Sequence, residues 1–295
     1  MGPDHAAFLT RGYEMYLKEV ESCALNPGAE LLSYEFDFLK GRRWHSLGQL
    51  LVSSELQELT NLLNRWRQLL LRWHAWKKVL DKFEEPDSLE LRLEFLESSI
   101  HECLLKPSSI RDTFTSVATN SLHQVRLSVE PCYKDFLYGD PTPEKPKPQP
   151  LQRRQKEKRL AELVSVWPEN EGFLGALKQI NTDEYTEETF DYRNLSSHGI
   201  GPRLGIGLTR LVTREVVAVE ERVPETSGTF KLVTVPNKWV VQYGFGGTPP
   251  LNLENARITN LQQFEIARGC YVLYIELLRS LVLKIPLDKQ ADNIA

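Results

Sequence analysis

The sequence predicts a mainly α-helical protein with a small antiparallel β element inserted before the last helix. Apolar residues recur at three- and four-residue spacing through most of the first half and again near the C-terminal end. One late stretch, 216–245, is instead rich in Val, Thr and aromatics with polar residues interspersed. With 41% hydrophobic and 26% charged residues over 295 positions, the chain has the make-up of a globular protein and the length for one large or two ordinary cores.

The elements follow in order. Ser54 is the expected N-cap of a long amphipathic helix reaching about Lys82. Leu59, Leu62, Trp66, Leu69, Trp73 and Trp76 form its stripe, which we assign to core packing rather than to base stacking. A second helix is expected over 88–106, stopped by Pro107. Pro107 then sits in the first turn of a third helix reaching toward Val129, where a missing N–H is tolerated. Residues 139–150, GDPTPEKPKPQP, hold five prolines and no large apolar side chain. They read as a linker between a helical region 1–138 and a region 151–295, or as a surface loop if both halves complete one bundle. The helix that follows, 151–167, begins with Arg153 and Arg154, candidate phosphate contacts or a solvated face.

A polar helix is predicted over 181–198, with Tyr185, Tyr192 and Leu195 facing a core and the glycines from Gly199 onward ending it. The β element is read as two or three strands, 216–223, 229–235 and 238–245, separated by Pro224–Gly228 and by Pro236-Asn237. Thr259 and Gln262 fit a capping box for the last helix, along which Phe264, Tyr271, Tyr274 and Leu278 share a side.

Several function classes are set aside. A net charge of −4 provides no global basic field, so any nucleic-acid contact must use a local patch. Cys23, Cys103, Cys132 and Cys270 are scattered, as free thiols in a reducing compartment would be, and no zinc spacing is present. The six histidines are dispersed, without H-E-x-x-H, so no metal and no cofactor is expected. No signal peptide or membrane span is read, and a cytoplasmic protein is expected. The glycine-rich segment 199–207, GIGPRLGIG, follows a polar helix rather than an apolar strand, and Pro202 removes a backbone donor, which argues against a phosphate loop.

The chemistry concentrates in 190-FDYRNLSSHGIGPRLG-205. Asn194 and His198 are related by i, i+4 and share a helix face, and the long Arg193 side chain can reach the same groove. A helix C-terminus favours imidazolium at His198. A guanidinium, an amide and an imidazole suit attack on an RNA phosphodiester. Arg stabilises charge on the non-bridging oxygens, His moves protons, and Asn orients the histidine or the phosphate. With the 2′-hydroxyl of RNA as nucleophile, no metal is required. Arg203, Arg210 and Arg214 follow closely and are candidate RNA contacts, or ordinary surface charges.

Arg193-Asn194-x-x-x-His198 resembles the signature of the HEPN superfamily, in which a polar residue, often Asn, follows the Arg and a His comes four to six residues later. The resemblance implies a HEPN-like helical bundle and a metal-independent endoribonuclease with Arg193 and His198 catalytic and Asn194 supporting. It also implies a homodimer whose two motifs face each other across one cleft, an RNA substrate, and an antitoxin or defence-system partner in a bacterial setting. Two departures stand out: Ile200 occupies a position where some HEPN toxins carry Tyr, and the β-rich insertion is no part of the minimal bundle. The competing reading is a non-catalytic helical module that binds RNA or protein, with a degenerate motif.

Overall fold

In the computed structural model, residues 3–22, 30–224 and 228–288 are described below. Cys23 and residues 225–227 of the expected turn lie outside them. The chain divides into two compact units, residues 1–188 with 254–295, and residues 189–253. The proline-rich stretch 139–150 lies within the first unit, as a loop whose ends are tied by Gln149 N–H donating to the Gly139 carbonyl at 2.9 Å.

The first unit is helical: α1 (Pro3–Ser22), α2 (Gly48–Leu80), α3 (Asp87–Leu91), α4 (Glu97–Val129), α5 (Arg153–Val164), α6 (Glu171–Lys178), α7 (Asp183–Glu188) and α9 (Leu253–Val282). Its centre is α2, α4 and α9. Glu55 meets Asn120 and Arg65 meets Glu102, so α2 and α4 run antiparallel. Thr60 bonds Tyr271 and Trp66 bonds Asn260, so α9 also opposes α2. The tryptophan stripe is core: Trp66, Trp73 and Trp76 are all but completely buried. Trp76 is stacked between Tyr16 of α1 and Phe95, with ring centroids 4.8 and 4.9 Å away. Gly12 of α1 lies against Leu91: a Cβ there would be 2.6 Å from a Leu91 methyl, so that side chain would have to shift.

Three expected boundaries move. Ser54 is not an N-cap, since α2 already begins at Gly48. Thr259 is likewise interior to α9, and its hydroxyl donates to Glu188 at 2.9 Å instead of capping. Pro107 does not separate two helices either. It lies inside α4, which a π-helical turn, Arg92–Leu96, joins to α3. Proline at 107 cannot donate to the carbonyl four residues back, that of Cys103. That carbonyl accepts from Asn260 Nδ2 at 2.8 Å instead. The same amide donates to Tyr185 Oη at 2.9 Å and accepts from Trp66 Nε1 at 2.9 Å. One fully buried side chain thus joins α2, α4, α7 and α9.

The second unit holds α8 (Tyr192–His198) and one two-stranded antiparallel sheet, β1 (Val212–Pro224) with β2 (Phe230–Phe245). Two strands form rather than three. Pro236-Asn237 is absorbed as an irregularity between the Ala218–Trp239 and Glu220–Thr234 pairs, with Asn237 in the left-handed region at φ 60°. The expected β element before the last helix is therefore present. Among the described residues, no helix is long and apolar enough to cross a membrane.

Two outcomes follow from the core. Asn260→Leu strands the Trp66 donor and the Cys103 carbonyl, each costing roughly 1–3 kcal/mol, and should lower unfolding free energy by about 3–5 kcal/mol in urea titration. The second concerns Glu102, whose carboxyl is pulled down to about 2 by hydrogen bonds from Arg65, aided by Lys106. Its folded-state value is depressed, so its stabilisation is present above the ordinary carboxylate range and is lost as pH falls toward about 2. The urea-midpoint gap between wild type and Glu102→Gln should be widest near neutrality and close on acidification.

Candidate functional site

The helix expected over 181–198 is two helices, α7 and α8, separated by residues 189–191. Phe190 and Asp191 both adopt left-handed backbone, φ 52° and 51°, which ends the ladder of α7. Asp191 tolerates this conformation better than most residues, and it takes the N-cap position of α8, its carbonyl accepting from Leu195 N–H at 3.0 Å. Phe190 carries no such signal, so the break was invisible in the apolar spacing.

Within α8 the motif side chains form a short relay. Asp191 Oδ1 accepts from Asn194 Nδ2 at 2.7 Å, and Asn194 Oδ1 accepts from Arg193 Nη1 at 2.8 Å. Asn194 therefore orients the guanidinium, where the sequence suggested the histidine or the phosphate. A guanidinium carries five N–H donors, so this bond uses only one of them. Asp191 went unrecognised in the sequence; an Asp three residues before the Asn at a helix start is the signal that would have found it.

His198 lies in the last turn of α8, exposed, and makes no hydrogen bond or ion pair among the described residues. Asn194 and His198 are about 40° apart around the helix, while Arg193 and His198 are about 140° apart. Helix geometry thus sets the two groups on different sides of α8.

Of the other arginines, Arg210 is drawn to the motif. Its guanidinium lies 3.5 Å from where a Cβ on Gly199 would sit, at the C-terminal end of α8, where a cation is favoured. Gly201 passes close to the same helix: a Cβ there would collide with Ser196 Oγ, and that hydroxyl would have to turn away. Arg203 is exposed beside Gly207, and Arg214 is exposed on β1, opposite Tyr243. The segment 192–214 contains four arginines and no acidic residue, so this stretch is locally basic despite the acidic chain. The loop is braced by Thr209 and Thr248, whose N–H groups each donate to the other's carbonyl, at 3.1 and 2.8 Å.

Arg153 and Arg154 belong to the other compact unit. Arg153 donates from Nε and Nη2 to both oxygens of Asp112 and from Nη2 to Ser108 Oγ, so its guanidinium already has partners. Arg154 is exposed.

A second histidine cluster escaped the sequence reading. His123, buried, bonds Tyr133 Oη through Nδ1 and Asp135 through Nε2, both at 2.8 Å. Burial pushes the Tyr133 phenol up, away from a nucleophilic phenolate, and Arg126 lies 4.1 Å over its ring. The arrangement clips the segment after α4 rather than activating an oxygen. Among the described residues, no group of three or more His, Cys, Asp or Glu side chains gathers as a metal site would require. No family model, no curated protein and no solved structure matches this chain.

The break at Asp191 can be tested through stability. Asp191→Asn keeps both tolerance of left-handed backbone and an acceptor for Asn194, and should leave the thermal midpoint nearly unchanged. Asp191→Val loses both and should cost at least about 1–2 kcal/mol, read in the same melts.

Proposed function

We propose that this protein is a metal-independent endoribonuclease of HEPN type, acting as a homodimer. The observation that carries the reading is the Asp191–Asn194–Arg193 relay, which aims a guanidinium from the same short helix that ends in an exposed, unengaged His198. In the reaction, the ribose 2′-oxygen loses its proton and bonds phosphorus while the bond from phosphorus to the 5′-oxygen breaks. The leaving oxygen takes up a proton, giving a 2′,3′-cyclic phosphate and a 5′-hydroxyl. Arg193 neutralises the non-bridging oxygens as charge builds there. Acid and base are needed at once on opposite sides of the phosphorus, and His198 from each of two facing copies supplies both. Arg210, at the end of α8, extends the basic rim along which the strand runs. The setting that fits such an activity is a bacterial toxin or defence system working on cytoplasmic RNA, with a partner protein restraining it.

A second reading is favoured by the exposed β1–β2 ribbon: a non-catalytic module that binds RNA or protein, with α8 as scaffold. The two part in one experiment. Purified protein should cleave RNA in EDTA and leave 2′,3′-cyclic phosphate ends, while Arg193→Ala and His198→Ala should each lower the rate at least about 100-fold with unchanged melting. Equal cleavage by wild type and both variants would remove the catalytic assignment, and binding without turnover would favour the module.

A further inference from the structure

One face of the β ribbon in the second unit is exposed and apolar. In the antiparallel register, Val212 pairs with Phe245, Arg214 with Tyr243, Val216 with Val241 and Ala218 with Trp239. Alternate residues of a strand share a face, so Trp239, Tyr243 and Phe245 project from the same side. Trp239 and Tyr243 are each 67% exposed and Phe245 is 99% exposed. Aromatic rings of this size ordinarily bury most of their surface. Here three stand in a row on a sheet of two strands, with Tyr243 and Phe245 about 7 Å apart along the strand.

Charge is distributed unevenly around them. Arg214 is directly across from Tyr243 on this face, while Glu215 sits opposite Gln242 on the other side. In the paired stretch from Val212 to Ala218 the aromatic face carries no carboxylate. Residues 189–253 contain seven Lys or Arg against five Asp or Glu, whereas the whole chain is at −4. A row of flat π-faces with a guanidinium among them, on a unit more basic than the rest of the chain, is the composition that holds single-stranded nucleic acid. Unpaired bases stack on the rings, and Arg214 meets a phosphate or stacks in turn. A second copy laid on the same face would bring its own Arg214 into the apolar patch with no carboxylate to receive it. Charge complementarity therefore selects a polyanion.

We infer that the Trp239–Tyr243–Phe245 face, with Arg214, is a stacking surface for unpaired bases that selects single-stranded over double-stranded RNA. The inference builds on RNA as the substrate but does not depend on cleavage. A duplex keeps its bases stacked on each other and offers the rings nothing; a single strand can splay its bases onto them.

The six tryptophans provide the probe. Trp66, Trp73, Trp76 and Trp167 are buried and Trp44 is half-buried, so the red edge of the emission belongs to Trp239. The full chain is titrated with a fully 2′-O-methylated single-stranded 12-nucleotide RNA, which lacks the hydroxyl needed for cleavage, and with the same sequence as a duplex. The single strand should quench the red-edge emission saturably and the duplex should not. Trp239→Ala and Tyr243→Ala should each weaken binding, read by anisotropy of a labelled strand, by roughly tenfold. Trp239→Phe, which keeps a ring, should restore most of that loss. Absent quenching, equal binding of duplex, or undiminished affinity in Trp239→Ala would each overturn the inference. So would a dimer in sedimentation that Trp239→Ala converts to monomer while RNA binding persists, which would make the face a protein interface. Cleavage of ordinary RNA is followed in parallel. Stacking without cleavage would remove the ribonuclease reading alone, and cleavage without stacking would remove this one alone.

Discussion

Pro107 removes one hydrogen bond from the middle of a 33-residue helix, and the helical unit is arranged around the repair. The Cys103 carbonyl left without its usual N–H is buried, and a buried carbonyl without a partner would cost on the order of 1–3 kcal/mol. Asn260 fills the gap, and because an amide has donors and an acceptor it also fastens Trp66 and Tyr185. Hydrophobic burial alone would allow α9 to slide or rotate against α2 and α4, since greasy contacts are non-directional. The amide fixes register. With Asn260 in place, Tyr271 falls beside Thr60 and Tyr274 beside Phe114, and Tyr185 in the first turn of α7 is held against α4.

The end of α7 also shapes the motif stretch. The chain leaves α7 through two left-handed residues and re-enters a helix of seven residues at Tyr192. A long uninterrupted helix would have put Asp191 inside a turn with its side chain bound for solvent. At the break it becomes the anchor of a relay that holds Asn194 and, through it, Arg193. The histidine is left without such support. Arg193 and His198 lie about 140° apart on one helix, the first held by a side-chain bond and the second not. After His198 the chain passes close to Ser196 at Gly201, and Arg210 comes beside Gly199.

Legibility in the sequence varied with the kind of signal. The Trp66–Trp73–Trp76 stripe was readable because core residues on a helix must recur with its turn, and they were readable as core because large rings bury more surface than they can usefully expose. The β element was readable as two or three strands from its Val, Thr and aromatic content, which favours extended backbone. Helix ends were less so. Ser54 and Thr259 have the side chains of caps, yet capping stabilises by only about 1 kcal/mol, and both helices already run through the six residues before those positions. Pro107 was read as a stop because proline interrupts an isolated helix, whereas here a distant amide replaces the missing bond. Of the candidate site, Arg193, Asn194 and His198 were legible by spacing. Asp191 was not, because its role depends on a backbone conformation that Phe190 shares without advertising it.

The sequence by itself determined the helical character, the placement of the β ribbon before the last helix, and the local concentration of Arg, Asn and His on one short stretch. Those properties are set by periodicity and by chemistry within a few residues. Only the tertiary structure decided that one helix runs through Pro107, that Asn194 serves the arginine rather than the histidine, that Arg153 is engaged by Asp112, and that three aromatic rings of the ribbon stand exposed on one face. Each of these turns on which groups meet across tens or hundreds of residues, or on which side chains meet nothing, and neither is encoded in spacing along the chain.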